Sequence, residues 1–461
     1  MSSGCRIVTL ALCGVALGSL AAAQTAGAPA SAEAPAFADP VLDALVTEAL
    51  EKNPDLLALG ETLAASRTRP AQAKALADPM FSVLYTNDGW SPSLGDRDMT
   101  TLAFMGSQTL PWPGKRSLRE QIAARDSVPA AERLERERRS IAARVRRAFW
   151  GLVLSEESLG VLREQEQIAT EAEGVARARY AVGQGAQQDV LRAQLEITGF
   201  EQLRTGQEAE IEARQAELSR LVGRDVGREA VYGARLALRP EPRDLAALQA
   251  EAEASLPELR AGAAFIEREQ LAIDLAGRDF KPDFSVQAGY MNRGGLDPMW
   301  VAGVGVSLPL YRGRRHAAVA EAEAGRRAAA FQVEAVRAQI RFRTRERVAQ
   351  LRAAERMAML YAYGLLPQAR LSYEASIASY QAGKVPFLAV LEALTTLYRD
   401  RIDHLRLLAT HEQIKASIAE ASLDATSGSL AGTFGGAGGM AGGASGSAPA
   451  PPAAMSGPKG N

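Results

Sequence analysis

The strongest constraint on the fold is an internal repeat. The triplet Phe-Ser-Val begins at Phe81 and again at Phe284. The segment RYAVGQGAQQDVLRA at Arg179–Ala193 has a counterpart, SYQAGKVPFLAVLEA, at Ser379–Ala393. These and two further landmarks recur in the same order about 200 residues apart, which indicates one structural unit written twice. The 461 residues therefore do not divide into unrelated globular domains.

Each unit has the same order of predicted elements: a helical segment, two short strands and a long helical hairpin. Alternation of apolar residues with small or polar ones predicts the strands. An irregular stretch with glycines and prolines separates the two units. The predicted boundaries are a first repeat at 40–222 (strand pair 81–110, hairpin 115–222), a connector at 223–243, and a second repeat at 244–424 (strand pair 284–310, hairpin 313–424).

The hairpins contain very long helices. Residues Lys115–Ala181 and Gly313–Ala382 are helical stretches with one proline each. A helix of ~65 residues would be ~100 Å long, which exceeds an ordinary globular domain and predicts a coiled-coil-like rod. Gly183 and Gly383 end these rods, because glycine readily adopts the left-handed conformation of a helix C-terminal turn. A second helix returns after each glycine.

The two ends of the chain have their own compositions. Arg6, an apolar run and an Ala-rich cleavage site predict a secretory signal peptide at 1–23, followed by a linker at 24–39. The lipidation state of Cys13 stays open, although Leu12 stands where a lipoprotein signal carries a small residue. Gly, Ala, Ser and Pro dominate the last residues and predict a disordered tail at 425–461.

Charge and residue counts argue against several functions. The 53 basic and 54 acidic residues nearly cancel, whereas a nucleic-acid-binding protein carries a basic surplus. Both cysteines lie in the predicted signal peptide, and the three histidines are His316, His404 and His411. This set supports no metal centre, no cofactor site and no catalytic triad. We therefore predict that the chain is not an enzyme.

Four strands in one chain need partners. Single-chain outer-membrane barrels have eight or more strands, and an open sheet in lipid would leave two unpaired edges. Several chains can close one barrel together: three would supply twelve strands, and two or four chains are also compatible. The predicted fold is mainly α with a small membrane β-region, in which helical hairpins form an α-barrel below a shared β-barrel.

The chain resembles the TolC-type outer-membrane efflux proteins, the exit ducts of tripartite bacterial pumps. The resemblance covers Pro40 to Leu423 and rests on the doubled unit and on two tip motifs, Tyr180–Gln194 and Tyr380–Tyr398. It implies a homotrimer in the outer membrane, with a twelve-stranded β-barrel in the lipid and a helical tunnel across the periplasm. A periplasmic adaptor and an inner-membrane transporter would be its partners, and the connector at 223–243 would form an equatorial collar.

The same resemblance assigns roles at the tips. Gly183 and Gly383 match the periplasmic turns on which the adaptor docks. Asp189, Tyr380 and Glu392 match positions that line or close the tunnel mouth, where three carboxylates around an axis would attract cations. The alternative for both acidic residues is an exposed helix surface without such a role.

Two positions depart from the family pattern. Ala389 stands where the second tip carries its first acidic residue, and Val385 stands where an arginine follows the glycine. The ionic lock of the closed state is therefore expected to be weaker or built differently. The leading function is a passive exit duct for efflux or type I secretion, and the alternative is a periplasmic adaptor or coiled-coil scaffold. The cargo, whether small molecules or metal ions, and the inner-membrane pump stay open.

Overall fold

The computed structural model describes residues 39–94, 97–421 and 423, in which helices dominate and one small sheet is present. The helices are α1 (Pro40–Lys52), α2 (Pro54–Lys74), α3 (Lys115–Asp126), α4 (Val128–Ala181), α5 (Gln187–Val222), α6 (Leu245–Ser255), α7 (Pro257–Arg278), α8 (Arg312–Leu360), α9 (Leu366–Gln381) and α10 (Phe387–Glu420). The strands are β1 (Met80–Thr86), β2 (Thr101–Leu110), β3 (Asp283–Arg293) and β4 (Leu296–Ser307). The predicted signal peptide, the linker apart from Asp39, and the predicted tail lie outside the described residues.

Prolines and capping side chains set the starts of the short helices. The Asp39 carboxylate accepts a hydrogen bond from the amide of Val41 at 3.0 Å, one residue after Pro40. Asn53 separates α1 from α2 and accepts from the amide of Asp55 at 2.9 Å. These side chains satisfy amides that the first helical turn leaves without partners. The corresponding break before α7 is also followed by a proline, so the two repeats begin alike.

The strands form one antiparallel sheet in the order β1-β2-β3-β4. Phe104 of β2 lies between Val83 of β1 and Tyr290 of β3, and the β2–β3 pairing joins the two repeats. Apolar side chains of both edge strands are exposed, among them Phe81 and Val304. Within the described chain, β1 and β4 therefore each have one edge without a backbone partner.

The long helices form a second layer. The 54 residues of α4 span about 80 Å at 1.5 Å per residue. Helix α4 packs against α5 on one side and α10 on the other, and α10 packs against α8 and α9. Near the tips the order across the layer is therefore α5, α4, α10 and then α9, whereas nearer the sheet α7 packs against both α4 and α8. The core lies along α4, where Phe149, Trp150 and Leu152 are fully buried.

The predicted continuous rods are interrupted at their prolines. Helix α3 ends at Asp126 and α4 begins at Val128, immediately before Pro129. In the second repeat, one π-helical turn at Tyr361–Leu365 separates α8 from α9 just before Pro367. Proline has no N–H to donate to the carbonyl four residues earlier, so each helix loosens or breaks there.

The connector at 223–243 is held against α4 by charge. Its single 3₁₀ turn, Arg228–Val231, places the Arg228 guanidinium on the Glu156 carboxylate at 2.6 and 2.9 Å. The Glu157 carboxylate accepts from the amide of Leu236 at 2.9 Å, and burial raises its pKa. The connector is therefore an ordered part of the fold beside the middle of α4.

A buried lysine joins the repeats where the sheet meets the helices. Lys115 begins α3 and is only 3% exposed. Its Nζ lies 3.1 Å from the Asp279 carboxylate and 2.9 Å from that of Asp283, which also accepts from the Trp112 amide at 2.8 Å. These contacts tie the start of the first hairpin to the base of β3. Separately, every helix in the described ranges is too short or too polar to cross a lipid bilayer.

Candidate functional site at the two helical tips

The two hairpins end in the same turn. Gly183 donates to the carbonyl of Tyr180 at 3.0 Å, and Gly383 donates to the carbonyl of Tyr380 at 2.9 Å. In each tip the residue after the glycine donates to the carbonyl five residues earlier, at 2.9 Å. This pair of bonds is the Schellman motif, and the glycines have φ of +73° and +74°. Identical backbone geometry about 200 residues apart is the structural form of the repeat.

The two glycines differ in their surroundings. A Cβ on Gly183 would meet open space. A Cβ on Gly383 would lie 3.3 Å from the Nη2 of Arg179, which belongs to the other hairpin. Both positions need glycine for their left-handed backbone, but only the second is crowded by a neighbouring side chain.

Asp189 and Tyr380 meet across the tips. Asp189 lies in the first turn of α5, and the Tyr380 hydroxyl at the end of α9 donates to its carboxylate at 3.0 Å. Burial, followed by the hydrogen bond to Asp189 and its negative charge, raises the pKa of Tyr380 to about 12. The phenol is therefore protonated at physiological pH and remains a hydrogen-bond donor.

Arg179 completes the contact between the tips and carried no prediction from the sequence. Its Nη1 donates to the carbonyl of Tyr380, and its Nη2 donates to the carbonyl of Gln184 at 3.0 Å. The guanidinium carbon also lies 4.6 Å from the centroid of the Tyr380 ring. Backbone carbonyls have no side-chain signature in a sequence, so the available signal was only the position of this arginine beside the tip motif.

An apolar cluster supports these polar contacts. Tyr380 is 3% exposed and packs against Phe387, with ring centroids 5.0 Å apart. Ala176 of α4 and Val390 of α10 are fully buried in the same cluster, and Val385 packs against it. The residue in the family's arginine position is therefore a packing residue here. Ala389 likewise offers no carboxylate.

Glu392 lies apart from this group. It is exposed on the second turn of α10, and no ion pair of its carboxylate occurs in the described part of the chain. Within one chain, the structure thus brings together Asp189 and Tyr380 but not Glu392. No group of three His, Cys, Asp or Glu side chains among the described residues could hold a metal ion.

Both repeats match the same family of known proteins. A family model described as outer membrane efflux protein matches residues 45–224 and 248–423, and each match falls on one repeat. The chain belongs to the outer membrane efflux protein family. This efflux protein is accordingly a channel in the outer membrane that extends into the periplasm. The alternative of an adaptor or scaffold has no support from this match.

Individual relatives agree with the assignment. The efflux protein is 25% identical over 387 residues to the cobalt-zinc-cadmium resistance protein CzcC of Cupriavidus metallidurans, covering 82% of this chain and 88% of that protein. The outer membrane protein VceC of Vibrio cholerae has a TM-score of 0.67 at 19% identity, over 82% of this chain and 95% of VceC. The open state of the Neisseria gonorrhoeae channel MtrE has a TM-score of 0.69 at 17% identity, over 83% and 88%. The efflux protein thus shares the fold of these channels along most of its length.

Proposed function

We propose that three copies of this chain form a closed duct that carries divalent metal cations out of the cell. The observation that carries the closed duct is that both layers have edges without a partner. In the described part of the chain, β1 and β4 each pair with one strand only, and apolar side chains are exposed on α5 and on α9. Each edge therefore needs another copy, and a ring of identical contacts gives every edge a partner.

The sheet edges suit a barrel in lipid. Strand β4 has 12 residues and would span about 30 Å when tilted as in outer-membrane barrels, close to the thickness of the apolar core. Trp300 and Val304 are exposed on it, and aromatic pairs lie at both ends of the sheet: Trp112 with Phe284, and Tyr290 with Trp300. Aromatic girdles around an apolar band are typical of such barrels. Three chains would supply twelve strands.

The helix edges carry matching apolar surface. Leu191, Leu195 and Leu203 are exposed on α5, and Tyr363 and Leu371 are exposed at the opposite edge of the layer. These side chains have helical spacing, and the described residues leave them exposed. Packing α5 of one protomer against α8 and α9 of the next would bury both surfaces and close a helical tunnel.

In such a ring, the two tips of each chain form the periplasmic end of the tunnel. In a ring, three copies of the Asp189–Tyr380 contact close the mouth, and three Glu392 carboxylates on the exposed face of α10 attract cations toward it. The turns at Gly183 and Gly383 are the docking points for a periplasmic adaptor. An inner-membrane pump supplies the energy for transport through the duct.

Divalent metal is the cargo that the relatives favour. CzcC is named for resistance to cobalt, zinc and cadmium, and it aligns with most of the efflux protein. The test is growth of a host that lacks its own outer-membrane efflux channels and carries an adaptor and an inner-membrane pump, for divalent metals in one strain and for drugs in another. Restored growth in cobalt, zinc or cadmium is the expected result. Restoration of drug resistance alone would overturn the metal cargo, and no restoration of any kind would overturn the duct.

A further inference from the structure

We propose that Arg179 is the positioning residue that closes the mouth: it ties the first tip to the second within each chain and holds Tyr380 on Asp189. This inference rests on the proposed function, because it assumes that the tips form the mouth. It assigns the closing cation to the first hairpin, whereas the family pattern places an arginine at the position of Val385.

The contacts of Arg179 span both hairpins. One arm of the guanidinium binds the carbonyl of Tyr380 in the last turn of α9, and the other binds the carbonyl of Gln184 in its own turn. A cation at a helix C-terminus is stabilised by the helix dipole, and a planar fork can hold two carbonyls at once. The guanidinium also covers the Tyr380 ring and crowds Gly383. Backbone and side chain of the second tip are thus held by one residue of the first.

The same residue orients the closing hydrogen bond. The Tyr380 ring contacts both Phe387, with ring centroids 5.0 Å apart, and the Arg179 guanidinium, whose carbon lies 4.6 Å from the ring centroid. This packing restricts the ring, so that its hydroxyl points to Asp189 at 3.0 Å. Removal of the guanidinium would leave both the Tyr380 ring and the Tyr380 backbone carbonyl without this partner.

The two tips contribute different residues to this contact, although their turns are equivalent. The Schellman turns align Arg179 with Ser379 and Tyr180 with Tyr380. Serine is too short to reach the other hairpin, and Tyr180 is exposed, whereas Tyr380 is buried. Among the described residues, the first hairpin therefore supplies both the cation and the carboxylate that contact Tyr380 across the tips. Opening the mouth must separate the hairpins at Arg179.

The test compares Arg179→Met with Arg177→Met in the full-length protein. Arg177 lies two residues away on α4, and its guanidinium pairs with Glu173 of the same helix at 2.6 Å, so it is a matched control without a bond to the second tip. Hydrogen exchange of the tip amides and single-channel conductance in lipid bilayers are measured on both variants. A hydrogen bond from a charged donor is worth roughly a tenfold change in population or more, and we expect that increase in exchange at 380–384 and in open probability for Arg179→Met alone.

Arg179→Lys is a second variant that keeps the test decisive if Arg179→Met does not fold. Lysine keeps the charge and can reach one carbonyl, but it lacks the fork, so its effect should lie between wild type and Arg179→Met. Equal behaviour of Arg179→Met and Arg177→Met would overturn the inference, as would faster exchange confined to the first tip. Failure of the proposed function gives a different result: the wild-type protein would form no channel, while exchange would still report the contact between the tips.

Discussion

Replacement of Tyr380 by Phe isolates one bond of the proposed mouth. The substitution removes the hydroxyl that donates to the Asp189 carboxylate at 3.0 Å and keeps the ring against Phe387 and Arg179. The buried apolar cluster therefore stays intact. Tyr180→Phe is the matched control, because Tyr180 occupies the equivalent place in the first tip and is 47% exposed.

The expected magnitude follows from the charge of the acceptor. A hydrogen bond to a charged group contributes about 1.5–3 kcal/mol, and the lower end applies because Asp189 is only half-buried. About 1.5 kcal/mol corresponds to a roughly tenfold change in the ratio of closed to open mouths for each chain. Tyr180→Phe removes a hydroxyl without a partner in the described part of the chain and should change the ratio by less than about twofold.

Single-channel recording of the purified protein in planar bilayers measures this ratio. Tyr380→Phe should raise the open probability, and Tyr180→Phe should leave it near the wild-type value. The pKa of Tyr380, raised to about 12, adds a pH signature. Because the folded pKa lies above the ordinary value of about 10, the bond is fully present below pH ~10 and is lost as pH rises toward 12. Equal open probabilities for the two variants would refute the assignment of Tyr380 to the closed mouth.

Three further substitutions test other parts of the account. Gly383→Ala should cost more stability than Gly183→Ala in thermal unfolding, since both incur about 1–2 kcal/mol of left-handed strain but only the former meets a neighbouring side chain. Lys115→Met should destabilise by about 1.5–3 kcal/mol in denaturant titrations, because two partly exposed aspartates lose a charged hydrogen-bond donor, whereas Lys74→Met, on an exposed pair, should cost at most about 1 kcal/mol. Glu392→Gln should reduce cation preference and conductance, and unchanged values of both would remove Glu392 from the mouth.

The periodic parts of the fold could be predicted from the sequence. The return helix predicted after Gly183 is α5, and the four strands lie within one residue of the two predicted strand-pair segments, 81–110 and 284–310. The interruptions of the rods could not be located by periodicity, because a single π-turn before Pro367 shifts the helical pattern by only one residue.

The candidate site was predictable only in part. Asp189 in the first tip motif and Tyr380 in the second each match a mouth position of the resembled family, and the structure joins them by a hydrogen bond. Arg179 could not be predicted, because it binds backbone carbonyls and one of them lies 201 residues away along the chain. The role of Glu392 depends on its distance from an axis that relates several chains, and this distance is not set within one chain.

The number of chains in the assembly decides whether the duct closes as a trimer. Native mass spectrometry of the detergent-extracted protein would count them. Three copies are expected, because three sheets of four strands close a twelve-stranded barrel and pair β1 of each chain with β4 of the next. A stable monomer would contradict the closed duct, since the edges of the sheet and of the helical layer would then have no partner. A dimer or tetramer would retain a ring and refute the trimer.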